Sequence, residues 1–141
     1  MKTAKRHDPE SVWPASSAFR AIYSHAVAIP SGMRLLTLSG QVGIAVDGTV
    51  RPDFRSQCLQ AMDNVEALLA DMGAGLPDIV KITYYLTSAA DLPLLTELRQ
   101  QRWASSQPPA VTTLVVAALA RPELAIEIDI LAAVASGPET P

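Results

Sequence analysis

The sequence predicts an α+β domain built as a β-β-α-β-α-β-β sheet with two helices packed on one face. Three observations lead there. Strand-like apolar runs stand in pairs at both ends of the chain, and two stretches between them switch to apolar steps of three and four. Strands and helices interleave, yet the paired strands at each end read as hairpins, which favours helices on one face over a doubly wound parallel sheet.

Taken in order, residues 1–18 carry Pro9 and Pro14 without periodicity and read as an irregular arm. Ile22 to Ile29 has strand character, Pro30-Ser31-Gly32 turns the chain, and Arg34 to Ser39 is a second apolar strand; the spacing predicts an antiparallel hairpin. Asp47-Gly48 marks another turn. Phe54, Cys58, Met62, Val65, Leu69 and Met72 then recur at helical spacing, with Gly73 and Gly75 as stop signals. Ile79 to Thr87 returns to strand. Asp91-Leu92-Pro93 opens a second helix whose apolar face holds Leu92, Leu95, Leu98 and Trp103. Val111 to Leu119 and Ala125 to Val134 are the last two strands, joined through Arg121-Pro122-Glu123. The domain spans residues 19–135, and residues 136–141 read as a flexible tail.

The chain has 141 residues, enough for one domain, and 49% of them are hydrophobic. With a net charge of −3 and no basic stripe, nothing favours nucleic acid as a partner. No stretch approaches a membrane span, and no apolar segment follows the basic N-terminus as a secretory signal requires. Cys58 is the only cysteine, which excludes internal disulfides and fits a cytoplasmic location; on the apolar stripe of its helix it reads as a buried small hydrophobe. The run Leu114 to Leu119 is apolar on both strand faces. Helices on one side of a sheet cannot cover both, so this strand predicts association with other copies.

Motifs for chemistry are sparse. There is no GxGxxG and no Walker loop, and Gly40-Gln41-Val42-Gly43 is too short to be a phosphate cradle. His7 and His25 lack metal-ligand spacing, so no metal is expected. Ser24 and His25 are neighbours in a strand and point to opposite faces, which excludes a nucleophile–base pair. In the last strand Ile126, Ile128 and Ile130 share one face, and Glu127 and Asp129 share the other. Two readings fit these carboxylates: an outward polar face, or a cleft in which one of them moves a proton. Tyr23 likewise fits either packing or ligand contact.

Several segments resemble one family in consistent order from about residue 20 to 134. They are Tyr23-Ser24-His25-Ala26-Val27, Leu38-Ser39-Gly40-Gln41-Val42-Gly43, and Gln57 with Ala61-Met62-Asp63-Asn64-Val65. Gly73 with Asp78 to Thr83, Pro109-Ala110 and Ile126-Glu127-Ile128 complete the set. Together they are similar to the RidA (YjgF, endoribonuclease L-PSP-like) proteins. The resemblance implies a chorismate-mutase-like fold and a homotrimer with small-molecule clefts between subunits. It also implies hydrolysis of reactive enamines and imines, such as 2-aminoacrylate, to 2-keto acids and ammonia without any cofactor. It places Glu127 as the catalytic carboxylate and Tyr23, Gly40 and Thr113 against the substrate. Where the archetype has Pro-Ala-Arg, this chain has Pro109-Ala110-Val111, so Val111 stands in place of the arginine that grips the substrate carboxylate as a bidentate fork. The family's asparagine before the second helix is also absent, with Ala90 near that position.

Three functions therefore compete. The first is a deaminase-like hydrolase whose ligand is less anionic than an amino-acid derivative, or is held by another cation such as Arg20, Arg99 or Arg102. The second is a non-catalytic trimer that binds a small molecule or a protein. The third is a ribonuclease, against which stand the missing basic groove and the lack of a histidine pair. On the first reading, loss of the arginine predicts poor turnover of 2-aminoacrylate.

Overall fold

The computed structural model describes residues 2–136. β1 (Lys5–His7) and β2 (Ala26–Ala28) pair antiparallel as a small two-stranded sheet. The main sheet contains β3 (Met33–Thr37), β4 (Gln41–Val42), β5 (Ile79–Leu86), β6 (Ala110–Val115) and β7 (Ile126–Ala135). Its order is β3-β7-β5-β6, with β4 also joined to β7. β6 runs parallel to β5, and the other pairs are antiparallel. α1 (Phe54–Asp71) and α2 (Leu92–Arg102) pack on one face, giving the α+β class expected.

Each helix forms where the sequence invites it. Asp53 caps α1, its Oδ2 accepting from Ser56 N at 2.9 Å, and Gly73 leaves the helix at φ +72°, where a side chain would be strained. The buried stripe of α1 is Phe54, Gln57, Cys58, Ala61, Met62, Val65 and Leu69. It meets Ile126, Ile128 and Ile130 of β7 and Tyr84 and Leu86 of β5, with Leu95, Leu98 and Trp103 completing the core. α1 lies directly on the β4 segment because residue 43 is glycine; a Cβ there would sit 2.6 Å from Gln57 Cα.

Neither expected hairpin forms. The strand read at Ile22 to Ile29 is reduced to β2, which pairs with β1 and not with β3. β1 in turn lies within the arm expected to be irregular. Arg6 fastens it, donating from Nε to the carbonyls of Gln107 (3.1 Å) and Pro108 (3.0 Å) and from Nη2 to Ile79 O (3.1 Å). At the other end, β6 and β7 both border β5 from opposite sides, so residues 116–125 cross the end of β5 instead of closing a tight turn. Strand proximity in sequence identifies partners only when the connection is short enough to force pairing. The strand expected to run to Leu119 ends at Val115.

The face away from the helices carries Lys81, Thr83 and Tyr85 of β5, Glu127, Asp129 and Leu131 of β7, and Leu35 and Thr37 of β3. None of these is buried, and Leu35 and Leu114 remain 53% and 44% exposed. No described helix is long and apolar enough to cross a membrane. Residues 137–141 of the expected tail lie outside the described residues.

Candidate functional site

The site begins at the open edge of β6. Ser24 forms a parallel bridge with Ala110, donating from its amide to Pro109 O (2.9 Å) and from Oγ to Pro108 O (2.8 Å). This buried latch lays the chain around Tyr23 beside the start of β6. The same segment is tied to α2, because Arg99 Nη2 donates to Ile22 O at 2.8 Å and Gln100 Nε2 donates to Ala18 O at 2.6 Å. The arm is therefore folded back over the gap between α2 and β6.

That gap is a cavity of about 460 Å³, lined by Tyr23, Val111 and Thr113 together with Arg99, Phe19 and the arm from Trp13 to Ser16. Its size suits a small ligand. Val111 and Thr113 point into the helical side of the sheet, because their register partners Ile82 and Tyr84 are core residues. Arg99 is 4% exposed, with its guanidinium carbon 4.9 Å from the centre of the Tyr84 ring. Burial pulls its pKa down, partly opposed by Tyr84. Of the other cations considered, Arg102 is paired with Asp63 and Glu66, and Arg20 lines a neighbouring cavity with Asp8, Glu10 and His25.

Trp13 lies between these two cavities, its ring parallel to Tyr23 at 6.0 Å and edge-on to His25 at 4.5 Å. The Tyr23 hydroxyl is hydrogen-bonded to His25 Nδ1. Desolvation, with Asp8 nearby, raises the Tyr23 pKa, so the phenol is neutral at physiological pH.

Gly40 and Glu127 form a second group. A Cβ on Gly40 would lie 2.7 Å from Glu127 Cδ, so glycine is what lets this carboxylate occupy its position. Glu127 pairs with Val42 and Tyr85 and points to the face without helices, between the core residues Ile126 and Ile128. Within one copy, then, Tyr23, Val111 and Thr113 share a cavity on one side of the sheet, while Gly40 and Glu127 meet on the other.

Trp13 of the arm and Phe19, the first residue of the domain, were not foreseen as cavity walls. The available signal was two large aromatics in a stretch otherwise poor in them. Arg99 has a clearer signal, standing four residues after Leu95 on the inward face of α2. Cys58 is fully buried and desolvation pushes its thiol up to about 12, which fits a packing role. Among the described residues no three His, Cys, Asp or Glu side chains gather to hold a metal.

Comparison with known proteins agrees with this architecture. A family model described as endoribonuclease L-PSP matches residues 15–134. The RutC family protein YjgH of Escherichia coli (strain K12) is 42% identical over 78 residues, which are 55% of this chain and only 59% of that relative. A 2-iminobutanoate/2-iminopropanoate deaminase of Dermatophagoides farinae is 28% identical over 88 residues, 61% of this chain and 66% of its own. The crystal structure of YyfB from Yersinia pestis, a protein of unknown function of the conserved Rid protein family, superposes with a TM-score of 0.82 at 32% identity. That match covers 93% of this chain and 98% of the other. With the family model spanning both helices and all but the last residue of the main sheet, the chain belongs to the endoribonuclease L-PSP family, that of the RidA and YjgF proteins.

Proposed function

We propose that this protein hydrolyses small enamine or imine metabolites to carbonyl compounds and ammonia in a cleft between two copies of the chain. The observation that carries the reading is the division of the expected site into two halves. Tyr23, Val111 and Thr113 line one cavity, and Gly40 and Glu127 touch on the opposite sheet face. Neither half suffices for catalysis, and the strands between them prevent their meeting in one protomer. A neighbouring copy supplies the missing half. The exposed Leu35 and Leu114 give such an assembly apolar surface to bury. We assign it as a cytoplasmic homotrimer. The deaminase named in Dermatophagoides farinae supports the reaction class.

In this reading Glu127 works as acid and base. An enamine is protonated at carbon to give the imine. Glu127 then takes a proton from water as the oxygen bonds to the C=N carbon, and the nitrogen gains a proton. Collapse of the carbinolamine forms the C=O bond, breaks the C–N bond and releases ammonia. The Gly40 amide and the Tyr23 and Thr113 hydroxyls orient the ligand. No step calls for a cofactor.

The test is ammonia release from freshly generated imines, with Glu127→Gln as the variant. Turnover should fall at least about a hundredfold, while light scattering still reports three times the 15.0 kDa chain mass. Unchanged turnover in the variant, or a stable monomer, refutes the proposal. Ligand binding by an assembly that never turns over imines would favour a binding module instead.

A further inference from the structure

We infer that Arg99 is the anion-holding group of the cavity beside β6, and that the cavity takes a carboxylate attached to an apolar or aromatic body. The inference rests on the reading of this cavity as half of the site, and it names what that half binds.

Arg99 is buried but lacks a counter-ion. Arg55, Arg102 and Arg121 each have a carboxylate within 4.0 Å, and among the described residues Arg99 has none. Its protein partners are the carbonyl of Ile22, reached by Nη2, and Tyr84, through both its ring and its hydroxyl. A carbonyl and a neutral tyrosine stabilise a guanidinium weakly compared with a carboxylate, so burial here is costly until an anion arrives. Among the described residues Arg99 is also the only charged one lining the cavity. An anion entering it meets one cation, and the carboxylates nearby, Asp8 and Glu10, line the neighbouring cavity.

The walls decide the rest of the ligand. Trp13, Phe19 and Tyr23 give an aromatic rim, and Val111 an apolar floor. Arg99 arrives from α2, whereas an arginine at residue 111 would arrive from β6. The single cation favours a monoanionic carboxylate over a phosphate, whose greater charge calls for more donors. The polar atoms left are the Tyr23 and Thr113 hydroxyls and a serine of the arm, Ser16. A three-carbon carboxylate would leave the aromatic rim unfilled; a larger apolar one would cover it.

The experiment is calorimetric titration of the full-length protein with phenylacetate and with its neutral isostere phenylacetamide; acetate and inorganic phosphate serve as controls. Wild-type protein should bind phenylacetate with sub-millimolar affinity, and acetate and phosphate far more weakly. Arg99→Met should weaken phenylacetate about a hundredfold and leave phenylacetamide unchanged. Arg99→Lys, which keeps the charge and loses the fork, should fall between. Because the tie to Ile22 could matter for folding, the wild-type Arg99 Nε–H resonance is followed as well, and it should shift on adding phenylacetate and not phenylacetamide. Equal affinity for acid and amide, no phenylacetate binding at millimolar concentration, or an unmoved Arg99 resonance overturns the assignment. Binding is read without turnover. If phenylacetate binds through Arg99 while no imine is hydrolysed, the proposed reaction falls and the subsite stands. Hydrolysis indifferent to Arg99→Met has the opposite meaning.

Discussion

Gln57 offers a sharp test of how the fold positions Glu127. This side chain is 1% exposed and joins three segments. Its Nε2 donates to Arg51 O at 2.9 Å and to Glu123 O at 2.8 Å, and its Oε1 accepts from Ala125 N at 2.8 Å. It thereby pins the entry of β7, two residues before Glu127, to the first turn of α1. Gln57→Leu keeps the apolar contacts and strips partners from three backbone groups. Net loss per bond is about 1 kcal/mol, rising toward 3 kcal/mol where the orphaned group stays dry. Arg51 and Glu123 are exposed and their carbonyls can rehydrate, whereas Ala125 is half-buried. The expected cost is therefore about 3 kcal/mol, or a Tm drop of about 10 °C for a chain of this size.

Gln57→Glu sharpens the test through pH. The carboxylate still accepts from Ala125, but its second oxygen now faces two carbonyls, so ionisation is disfavoured in the fold and its pKa rises above the unfolded value of about 4.3. Below that value the acid is protonated in both states and the penalty is absent. The penalty grows as pH rises through the unfolded pKa and levels off above the folded one. Calorimetric scans at fixed protein concentration should show a small Tm gap to wild type near pH 4 and a large one at pH 7. A Gln57→Leu variant melting within about 1 °C of wild type, or a Gln57→Glu gap independent of pH, would show that Gln57 does not anchor the entry of β7.

Two further outcomes follow from named contacts. Gly40→Ala should keep the melting temperature within a few degrees, because the atoms nearest its new Cβ belong to the flexible side chain of Glu127, and should cut imine turnover at least about tenfold by displacing that carboxylate; full activity would separate Gly40 from the site. Cys58 should resist a thiol reagent at pH 8 in the native protein and react promptly in denaturant, since burial both shields the thiol and pushes it up to about 12; rapid native labelling would show that α1 opens.

The helices were legible because their signals are local. A 3.6-residue apolar period and a glycine exit fixed α1, and Asp91 with Pro93 marked α2. The pairing of the strands was not. β2 chooses β1 because Arg6 reaches three distant carbonyls, and β6 lies parallel to β5 because α2 carries the chain across; both causes span many residues. The alternation of Ile126, Ile128 and Ile130 with Glu127 and Asp129 was readable from period two alone, and the structure keeps the isoleucines in the core and the carboxylates on the other face. The division of Tyr23 and Thr113 from Glu127 was not readable, since it depends on which sheet face each strand presents after pairing. Arg99 shows the same limit. Its inward position follows from helical spacing, but the absence of a carboxylate partner can be seen only in three dimensions.

If the two halves of the site belong to different copies, mixing two inactive variants rebuilds active sites. Glu127→Gln retains the cavity half and loses the carboxylate half; Tyr23→Ala does the reverse. Each variant alone should be inactive toward imines. Unfolded together in equal amounts and refolded, they should recover about one quarter of wild-type activity. Each interface pairs an intact cavity (chance one half) with an intact carboxylate (chance one half) when sites form between neighbours in a ring. If the site lay within one protomer, every chain in the mixture would still carry a lesion in its own site, and the mixture would stay inactive.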